Sequence, residues 1–260
     1  MTRLGQHFLT DKSALKKIAA LLDLKEEDTV VEIGPGHGEL TEELVFKNQD
    51  LRIIAIEKDE QLANDLRSKI YDLGIKNVEV VTGDVLKILP SLIENCELKI
   101  ENYKLTGNIP YYITGKLLRT ISELQEKPEI SVFTIQKEVA ERLAAKPPRM
   151  NRLAASVQFW AEPKIAFIIP RTSFQPIPEV DSATIVLKRG VQRGIKTDAY
   201  YKTVRVLFSQ PRKTILNNLS FGMGISKKDA EEKLKLAGIE SGLRPQNLSV
   251  EDIIKIAAVF

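Results

Sequence analysis

The stretch VVEIGPGHGEL, residues 30–40, determines how the first part of the chain is organised. It begins with an apolar run of strand character and ends in a helical pattern. Between the two lie Gly34, Gly36 and Gly38, and glycine lets the backbone turn sharply and approach a ligand closely. The stretch therefore predicts a strand, a tight turn and a helix, which is the repeating unit of an α/β sheet.

Similar units follow between residues 10 and 140. Apolar runs rich in β-branched residues predict strands at DTVVEIG, LRIIAIEK, NVEVVTGD, YKLTGNI and ISVFTIQ. Between them, apolar residues recur at helical spacing in GELTEELVFKN, DEQLANDLRSKIYDLG and ITGKLLRTISELQEK. Asp11 and Asp59 are expected as helix N-caps and Gly74 as a helix end. This alternation predicts a doubly wound parallel sheet.

The pattern changes in the second half of the chain. Residues 157–170 (VQFWAEPKIAFIIP) and 182–190 (SATIVLKRG) predict two strands with no helix between them, so we expect a final antiparallel pair. A polar, glycine-containing linker, residues 189–198, precedes several short helical segments. We predict a Rossmann-like α/β domain over residues 1–190 and a small all-helical domain over residues 191–260.

Composition narrows the class of protein. Of the 260 residues, 43% are hydrophobic and 28% charged, which is typical of soluble globular chains. No apolar run approaches the roughly 18 residues that cross a bilayer, and the amino terminus lacks a signal-peptide core. The chain has one cysteine, Cys96, which excludes an intramolecular disulfide and a cysteine metal cluster, and its two histidines, His7 and His37, cannot form a zinc site by themselves. We expect a cytoplasmic monomer without a metal and without membrane contact.

Positive charge is concentrated near the carboxyl terminus. Residues 191–260 contain 12 Lys and Arg against 7 Asp and Glu, whereas the remaining residues contain 26 against 28. A basic region favours a polyanionic partner. A solvated helical surface explains the same count nearly as well.

Two carboxylates follow later strands at the edge where the glycine turn lies. Glu57 ends the second predicted strand, 21 residues after Gly36, and Asp84 ends the third. In this fold a carboxylate at the first position accepts hydrogen bonds from two ribose hydroxyls, and Asp84 can accept one from the adenine amine. If only one of these carboxylates were present, a role as a helix cap would explain it. The whole set in register favours a site, because open α/β sheets bind ligands at the carboxyl ends of their strands.

The glycine spacing and one further carboxylate indicate which nucleoside binds there. The spacing is G-x-G-x-G, whereas a dinucleotide fingerprint needs G-x-G-x-x-G. Glu32, just before the turn, would repel phosphates and could receive an ammonium group. An adenosine ligand with an ammonium and without phosphate is S-adenosylmethionine, and the residues predicted to hold it are Glu32, Gly34, Gly36, Glu57, Asp84 and Asn108.

The fourth predicted strand ends abruptly in Asn108, Ile109, Pro110 and Tyr111. Proline cannot donate to a sheet, so the strand stops there, and a plain strand-to-helix turn would explain these residues if they stood alone. N-x-P-Y at this position, however, is the hallmark of methyltransferases that act on exocyclic amines. With GQHFL (5–9), EIGPGHG (32–38), GNIPYYIT (107–114), SFQPIPEVDSA (173–183) and QPRKTILNNL (210–219), the chain resembles the small-subunit ribosomal RNA adenine dimethyltransferases over nearly all its length.

The resemblance implies an activity and roles for several residues. It implies N6-dimethylation of two adjacent adenosines in small-subunit rRNA, with the immature subunit as partner. The Asn108 side-chain oxygen and a backbone carbonyl near Ile109 or Pro110 would accept hydrogen bonds from the target amine. Tyr111 and Phe174 would enclose the base between their rings. Contacts to the methionine part of the cofactor would come from Gln6, His7 and Leu9. His37 receives no role.

Three other functions compete with this one. The large-subunit rRNA methyltransferases of the antibiotic-resistance type share the glycine turn and N-I-P-Y, but the segments EVDSA and RKTILNNL resemble the small-subunit branch. A non-catalytic ribosome assembly factor is disfavoured by the intact predicted site. A nicotinamide oxidoreductase is disfavoured by the glycine spacing.

One segment departs from the family pattern. At residues 146–157 the chain has KPPRMNRLAASV where the family usually has a glycine- and tyrosine-containing turn.

Overall fold

A computed structural model describes residues 6–26, 28–48, 50–94, 102–190 and 194–260. Gly5, Cys96 and residues 191–193 of the predicted linker lie outside these ranges. The strands are β1 (Phe8–Leu9), β2 (Thr29–Ile33), β3 (Arg52–Glu57), β4 (Val78–Thr82), β5 (Tyr103–Asn108), β6 (Ile130–Gln136), β7 (Ala161–Ile169), β8 (Phe174–Gln175) and β9 (Ser182–Arg189). The α-helices are α1 (Lys12–Leu21), α2 (Glu39–Lys47), α3 (Glu60–Asp72), α4 (Val85–Glu94), α5 (Thr114–Glu123), α6 (Lys137–Leu143), α7 (Arg152–Gln158), α8 (Thr197–Leu207), α9 (Ile215–Met223), α10 (Lys227–Leu236) and α11 (Val250–Val259).

The main sheet has the order β4-β3-β2-β5-β6-β9-β7. Neighbouring strands from β4 through β6 are parallel, and β9 runs antiparallel to β6. The predicted parallel sheet and its antiparallel ending are therefore confirmed. The strand order reverses at β2, which lies between β3 and β5, and a crevice for ligands forms at the carboxyl ends of strands at such a switch point.

Helices α1 and α3 begin at their predicted N-caps, and α3 ends at the predicted glycine. Asp11 accepts hydrogen bonds from the N–H groups of Ser13 and Ala14, and Asp59 accepts them from Gln61 and Leu62. Gly74, with a φ of 66°, follows the last turn of α3. Helix α4 was not predicted, because Pro90 interrupts its sequence, yet the chain stays helical through that proline.

The chain divides into two compact units. The first comprises the described residues of Met1–Ala140 and Glu162–Arg189, and the second those of Glu141–Ala161 and Gly190–Phe260. The sequence had placed all residues up to 190 in the first domain. This prediction is wrong for Glu141–Ala161, because Met150, Ala154, Ala155 and Phe159 belong to the helical core of the second unit.

Packing of α7 against α8 accounts for this difference. The Phe159 ring stacks on the Tyr200 ring at a centroid distance of 3.9 Å, and the Tyr200 hydroxyl donates to the Ala155 carbonyl at 2.9 Å. The predicted strand at residues 157–170 is correspondingly too long at its start. Asn151 caps α7, which runs to Gln158, and β7 begins only at Ala161.

Within the first unit, α1 and α2 bury one face of the sheet. The side chains of this core that are fully or nearly fully buried include Leu15, Ile18, Leu22, Val30, Leu44, Ile53 and Val132. Among the described residues, no helix combines the length and apolar composition needed to cross a membrane.

β5 and β2 approach each other closely near their carboxyl ends. A Cβ added to Gly107 would lie 2.3 Å from the Ile33 carbonyl oxygen, and Gly107 has a φ of 156°, which other residues seldom adopt. A side chain at this position would therefore push the two strands apart beside Asn108.

We predict that Gly107→Ala lowers the free energy of unfolding by about 1–3 kcal/mol, since the added methyl overpacks a rigid backbone contact. The matched control is Gly115→Ala. That residue is exposed inside α5 with no atom within 4 Å of the added Cβ, and alanine there should stabilise the helix by about 0.5–1 kcal/mol. Urea denaturation of both variants measures the difference. Equal stability of Gly107→Ala and the parent would show that the strands separate without cost.

Candidate active site

A cleft with about 860 Å³ of empty space, its open mouth included, lies in the first unit. The carboxyl ends of β2, β3 and β5 line it, together with the turn after β4, the segment before β1 and part of β8. The predicted site residues that line this cleft are Gln6, His7, Gly34, Gly36, Glu57, Asp84, Asn108, Ile109, Pro110, Tyr111 and Phe174.

Two predicted residues lie elsewhere. Glu32 and Leu9 line a second, smaller cavity with about 390 Å³ of empty space. Gly34 and Asn108 border both cavities, so Glu32 and Leu9 lie on the far side of residues that line the main cleft.

Sequence reasoning did not assign several residues that also line the main cleft. They are Phe8, Ile33, Ile56, Lys58, Gly83, Val85, Tyr112 and Ile113. Most are immediate chain neighbours of predicted residues, and Phe8 and Tyr112 lie inside the motifs GQHFL and GNIPYYIT. Adjacency to a strand end was the signal that could have identified them.

The glycine turn and Glu57 form one hydrogen-bonded unit. Glu57 is buried, and its two oxygens accept the N–H groups of Gly36 at 3.1 Å and Asp59 at 2.9 Å. A carboxylate oxygen can accept more than one hydrogen bond, so each retains capacity for a ligand hydroxyl. Gly36 has a φ of 58°, and a Cβ there would meet the Phe8 ring at 2.8 Å, so the turn requires glycine for two independent reasons.

Asp84 combines the two interpretations that the sequence left open. Its Oδ1 accepts the N–H of Leu86 in the first turn of α4, as a helix cap does, and its Oδ2 pairs with the Lys58 ammonium at 3.2 Å. Burial raises the pKa of Asp84, but the Leu86 N–H and Lys58 outweigh it and hold the pKa below its ordinary value of 3.8. The carboxylate is therefore ionised at neutral pH and can accept hydrogen bonds from a ligand.

Asn108 is oriented by the segment before β1. Its Nδ2 donates to the His7 carbonyl oxygen at 2.6 Å, and no described residue donates to its Oδ1. The Pro110 carbonyl already accepts the N–H of Ile113 at 3.1 Å, which leaves the Ile109 carbonyl as the better candidate for a second acceptor. The site thus presents hydrogen-bond acceptors at the end of β5.

The aromatic residues of the cleft differ in exposure. Tyr111 is half-buried, and its hydroxyl lies 3.3 Å from the Ser182 hydroxyl. Phe174 lines the cleft but is only 2% exposed, because it also packs in the core against α1 and pairs with Leu9 across β1 and β8. His37, to which no role was given, lies with its ring centroid 4.4 Å from that of Phe8.

Glu32, which lines the smaller cavity, has a pKa well above its ordinary value. It is 1% exposed and accepts a hydrogen bond from the Thr41 hydroxyl at 2.7 Å. Burial raises the pKa of Glu32 from 4.5 to about 7; the Thr41 hydrogen bond lowers it, while the carboxylates of Glu39 and Glu57 raise it further. At neutral pH an ammonium group brought near Glu32 would favour its ionised form.

We predict that Glu32→Gln stabilises the protein at high pH. A carboxyl with a raised folded-state pKa makes the protein less stable as pH increases from about 4.5 to 7, and glutamine cannot ionise. The stability of the variant relative to the parent should therefore rise by roughly 2.5 kcal/mol between pH 5 and pH 8. Denaturation at both pH values, with the exposed Glu141→Gln as control, measures this. A difference independent of pH would show that Glu32 is ionised throughout.

Sequence similarity to known proteins extends over the whole chain. The family model for ribosomal RNA adenine dimethylase matches residues 1–260. A ribosomal RNA small subunit methyltransferase A from Dehalococcoides mccartyi is 38% identical over 99% of this chain and 87% of its own length.

Solved structures are similar in fold. A dimethyladenosine transferase from Plasmodium falciparum has a TM-score of 0.78 and 26% identity, with 96% of this chain and 95% of that one covered. The 23S rRNA methyltransferase ErmE has a TM-score of 0.75 and 27% identity, with 97% and 98% covered. With a family match from the first residue to the last, the chain belongs to the ribosomal RNA adenine dimethylase family.

Proposed function

We propose that this chain transfers methyl groups from S-adenosylmethionine to the N6 amines of two adjacent adenosines in small-subunit rRNA. The observation that carries the proposal is the held amide of Asn108. Its Nδ2 is bound by the His7 carbonyl, so its Oδ1 remains an acceptor in the same cleft as Glu57 and Asp84. The immature small subunit is the proposed partner, and a cytoplasmic location and a monomeric state stay predictions.

The cleft suits the proposed cofactor. Glu57 would accept hydrogen bonds from the ribose hydroxyls and Asp84 one from the adenine amine. Glu32 lines the adjoining smaller cavity, beyond Gly34 and Asn108, and would attract the ammonium group from there. S-adenosylmethionine, when bound, supplies an electrophilic methyl group on its sulfur.

The residues after β5 would act on the target amine. An adenine amine is a poor nucleophile because its lone pair is delocalised into the ring. The Asn108 Oδ1 and the Ile109 carbonyl would accept its two N–H groups and so favour a pyramidal nitrogen with an available lone pair. Tyr111 would stack on the base, with Phe174 on the other side. No strong base is needed, since the methylated ammonium loses its proton readily, and most of the rate would come from positioning.

Sequence identity favours RNA of the small ribosomal subunit over RNA of the large subunit as the substrate. The curated relative named for the small subunit is 38% identical, whereas ErmE, named for 23S rRNA, is 27% identical. Similarity to ErmE over 97% of the chain makes large-subunit RNA the second candidate. Incubation with labelled cofactor and each RNA or immature subunit, followed by nucleoside mass analysis, tests both. N6,N6-dimethyladenosine only in large-subunit RNA would favour the second candidate, and binding without methylation would favour a non-catalytic assembly factor.

We predict that Asn108→Ala lowers the single-turnover rate of methylation on the order of 100-fold while cofactor affinity changes little. An acceptor needed mainly in the transition state affects rate rather than binding, and one lost positioned group costs about this much by analogy with oxyanion-hole donors. The measurement uses saturating cofactor and RNA, with separate binding assays.

The matched control for this experiment is Asn77→Ala. The Asn77 amide donates to the Leu51 carbonyl at 2.8 Å, just before β4 at the opposite edge of the sheet. Its loss should leave the rate near that of the parent. An Asn108→Ala variant that methylates at the parental rate would mean that the amide only shapes a turn.

The second unit is the proposed site of RNA binding, because it contains most of the excess positive charge. Truncation at Gly190 would not test this cleanly, since it would remove Tyr200 from the Phe159 ring. Arg212 and Lys213, between α8 and α9, are exposed and are better targets.

We predict that Arg212→Ala with Lys213→Ala weakens RNA binding and reduces the slope of log affinity against log salt by about 1–2, as expected for lost phosphate contacts. The control removes the same charge with Lys25→Ala and Lys76→Ala, two exposed residues before β2 and β4 at the edge away from the cleft. A salt titration of binding distinguishes the pairs. Equal slopes in both double variants would show that the basic residues of this loop are only a solvated surface.

A further inference from the structure

His7 joins three separate parts of the first unit. Its ring Nδ1 lies 2.7 Å from the Pro176 carbonyl oxygen, and because a carbonyl only accepts, Nδ1 is the donor. Its backbone carbonyl accepts the Asn108 Nδ2 at 2.6 Å. Its ring is stacked at 26° to the Tyr111 ring, with a centroid distance of 6.2 Å.

The position of His7 is fixed by the segment around β8 rather than by the main sheet. Phe8 and Leu9 pair with Gln175 and Phe174 as the two-stranded sheet β1-β8. Beyond that pair, the N–H and hydroxyl of Thr10 donate to the Ser173 carbonyl at 2.9 and 3.1 Å. Residues 7–10 are thus attached to residues 173–176 at both ends, and the His7 ring makes the attachment nearest to Asn108.

The hydrogen bond to His7 determines which way the Asn108 amide faces. A side-chain amide carries an acceptor and a donor on opposite sides, and rotation by half a turn exchanges them. With Nδ2 bound to the His7 carbonyl, Oδ1 is available to an incoming amine. In the rotated amide, a donor would face the donor groups of the amine, and the oxygen would face the His7 carbonyl.

We propose that His7 is a positioning residue for methyl transfer: the ring, held by Pro176, places the His7 backbone carbonyl where it keeps the Asn108 oxygen facing the target amine. The inference rests on the proposed function of Asn108. It differs from the role expected from the sequence, in which His7 contacts the methionine part of the cofactor. Here the side chain of His7 matters for its N–H donor, and the effect on the reaction passes through Asn108.

Three substitutions separate the possible contributions of His7. His7→Ala removes the ring and its donor. His7→Phe keeps a ring beside Tyr111 but loses the donor to Pro176. His7→Asn loses the ring, yet its Nδ2 can take the place of Nδ1 and donate to the same carbonyl.

The kinetic test compares their single-turnover rates at saturating cofactor and RNA with their cofactor dissociation constants. His7→Ala and His7→Phe should lower the rate by about 10- to 100-fold, as small misplacements of catalytic groups do, with cofactor affinity nearly unchanged. His7→Asn should recover most of the lost rate. In an Asn108→Ala background, His7→Ala should cause little further loss, because the two residues act as a unit.

A spectroscopic test needs neither cofactor nor RNA. The side-chain amide resonances of Asn108, measured by nitrogen-edited NMR of the full chain, should shift and exchange faster in His7→Ala and His7→Phe and stay near the parental positions in His7→Asn. An inactive parent with these shifts would overturn the proposed function while leaving the contact in place.

Two results would overturn the positioning role itself. One is weaker cofactor binding with an unchanged rate at saturation, which would make His7 a cofactor contact only. The other is the absence of coupling to Asn108, seen as an Asn108 amide resonance that does not respond to His7→Ala together with an equal loss of rate from His7→Ala with and without Asn108.

Discussion

The backbone contact between Gly107 and Ile33 sets the positions of the glycine turn and of Asn108 at the edge of the cleft. At this point β5 comes so close to β2 that a Cβ on Gly107 would lie 2.3 Å from the Ile33 carbonyl oxygen. β2 is also where the strand order reverses, so the crevice between diverging connections opens directly beyond this contact. Gly34 and Asn108, the next residues on the two strands, are neighbours for this reason, and a Cβ on Gly34 would lie 3.9 Å from the Asn108 carbonyl oxygen.

Three carboxyl groups in and beside this crevice have different surroundings. Glu57 is held by two backbone N–H groups, and Asp84 by Lys58 and a helix N–H. Glu32 has burial and two nearby acids against ionisation, and only the Thr41 hydroxyl in favour of it. A ligand with hydroxyls, an amine and an ammonium group would match Glu57, Asp84 and Glu32 in turn. A phosphate-bearing dinucleotide would add negative charge beside all three.

The sequence predicts the sheet and most of the cleft because local signals mark where each strand ends. Pro110 and the glycine turn follow buried apolar strands, Asp84 follows the half-buried strand β4, and the carboxyl ends of parallel strands meet at one edge. The second unit was harder to delimit. Nothing local in residues 141–161 indicates that Phe159 stacks on Tyr200 across 41 positions of the chain, so tertiary packing decided both the helix at Val157 and the domain boundary.

Local sequence likewise does not indicate how the Asn108 side chain is oriented in the site. Strand ends place Asn108 in the cleft, but the orientation of its amide depends on His7, which lies 101 residues earlier and is held by Pro176, 169 residues later than His7. The main sheet therefore determines where the acceptor lies, and the short β1-β8 pair determines which way it faces. Substitutions at Ser173, Gln175 or Pro176, to which the proposed mechanism gives no substrate contact, should consequently alter the reaction through the segment they hold.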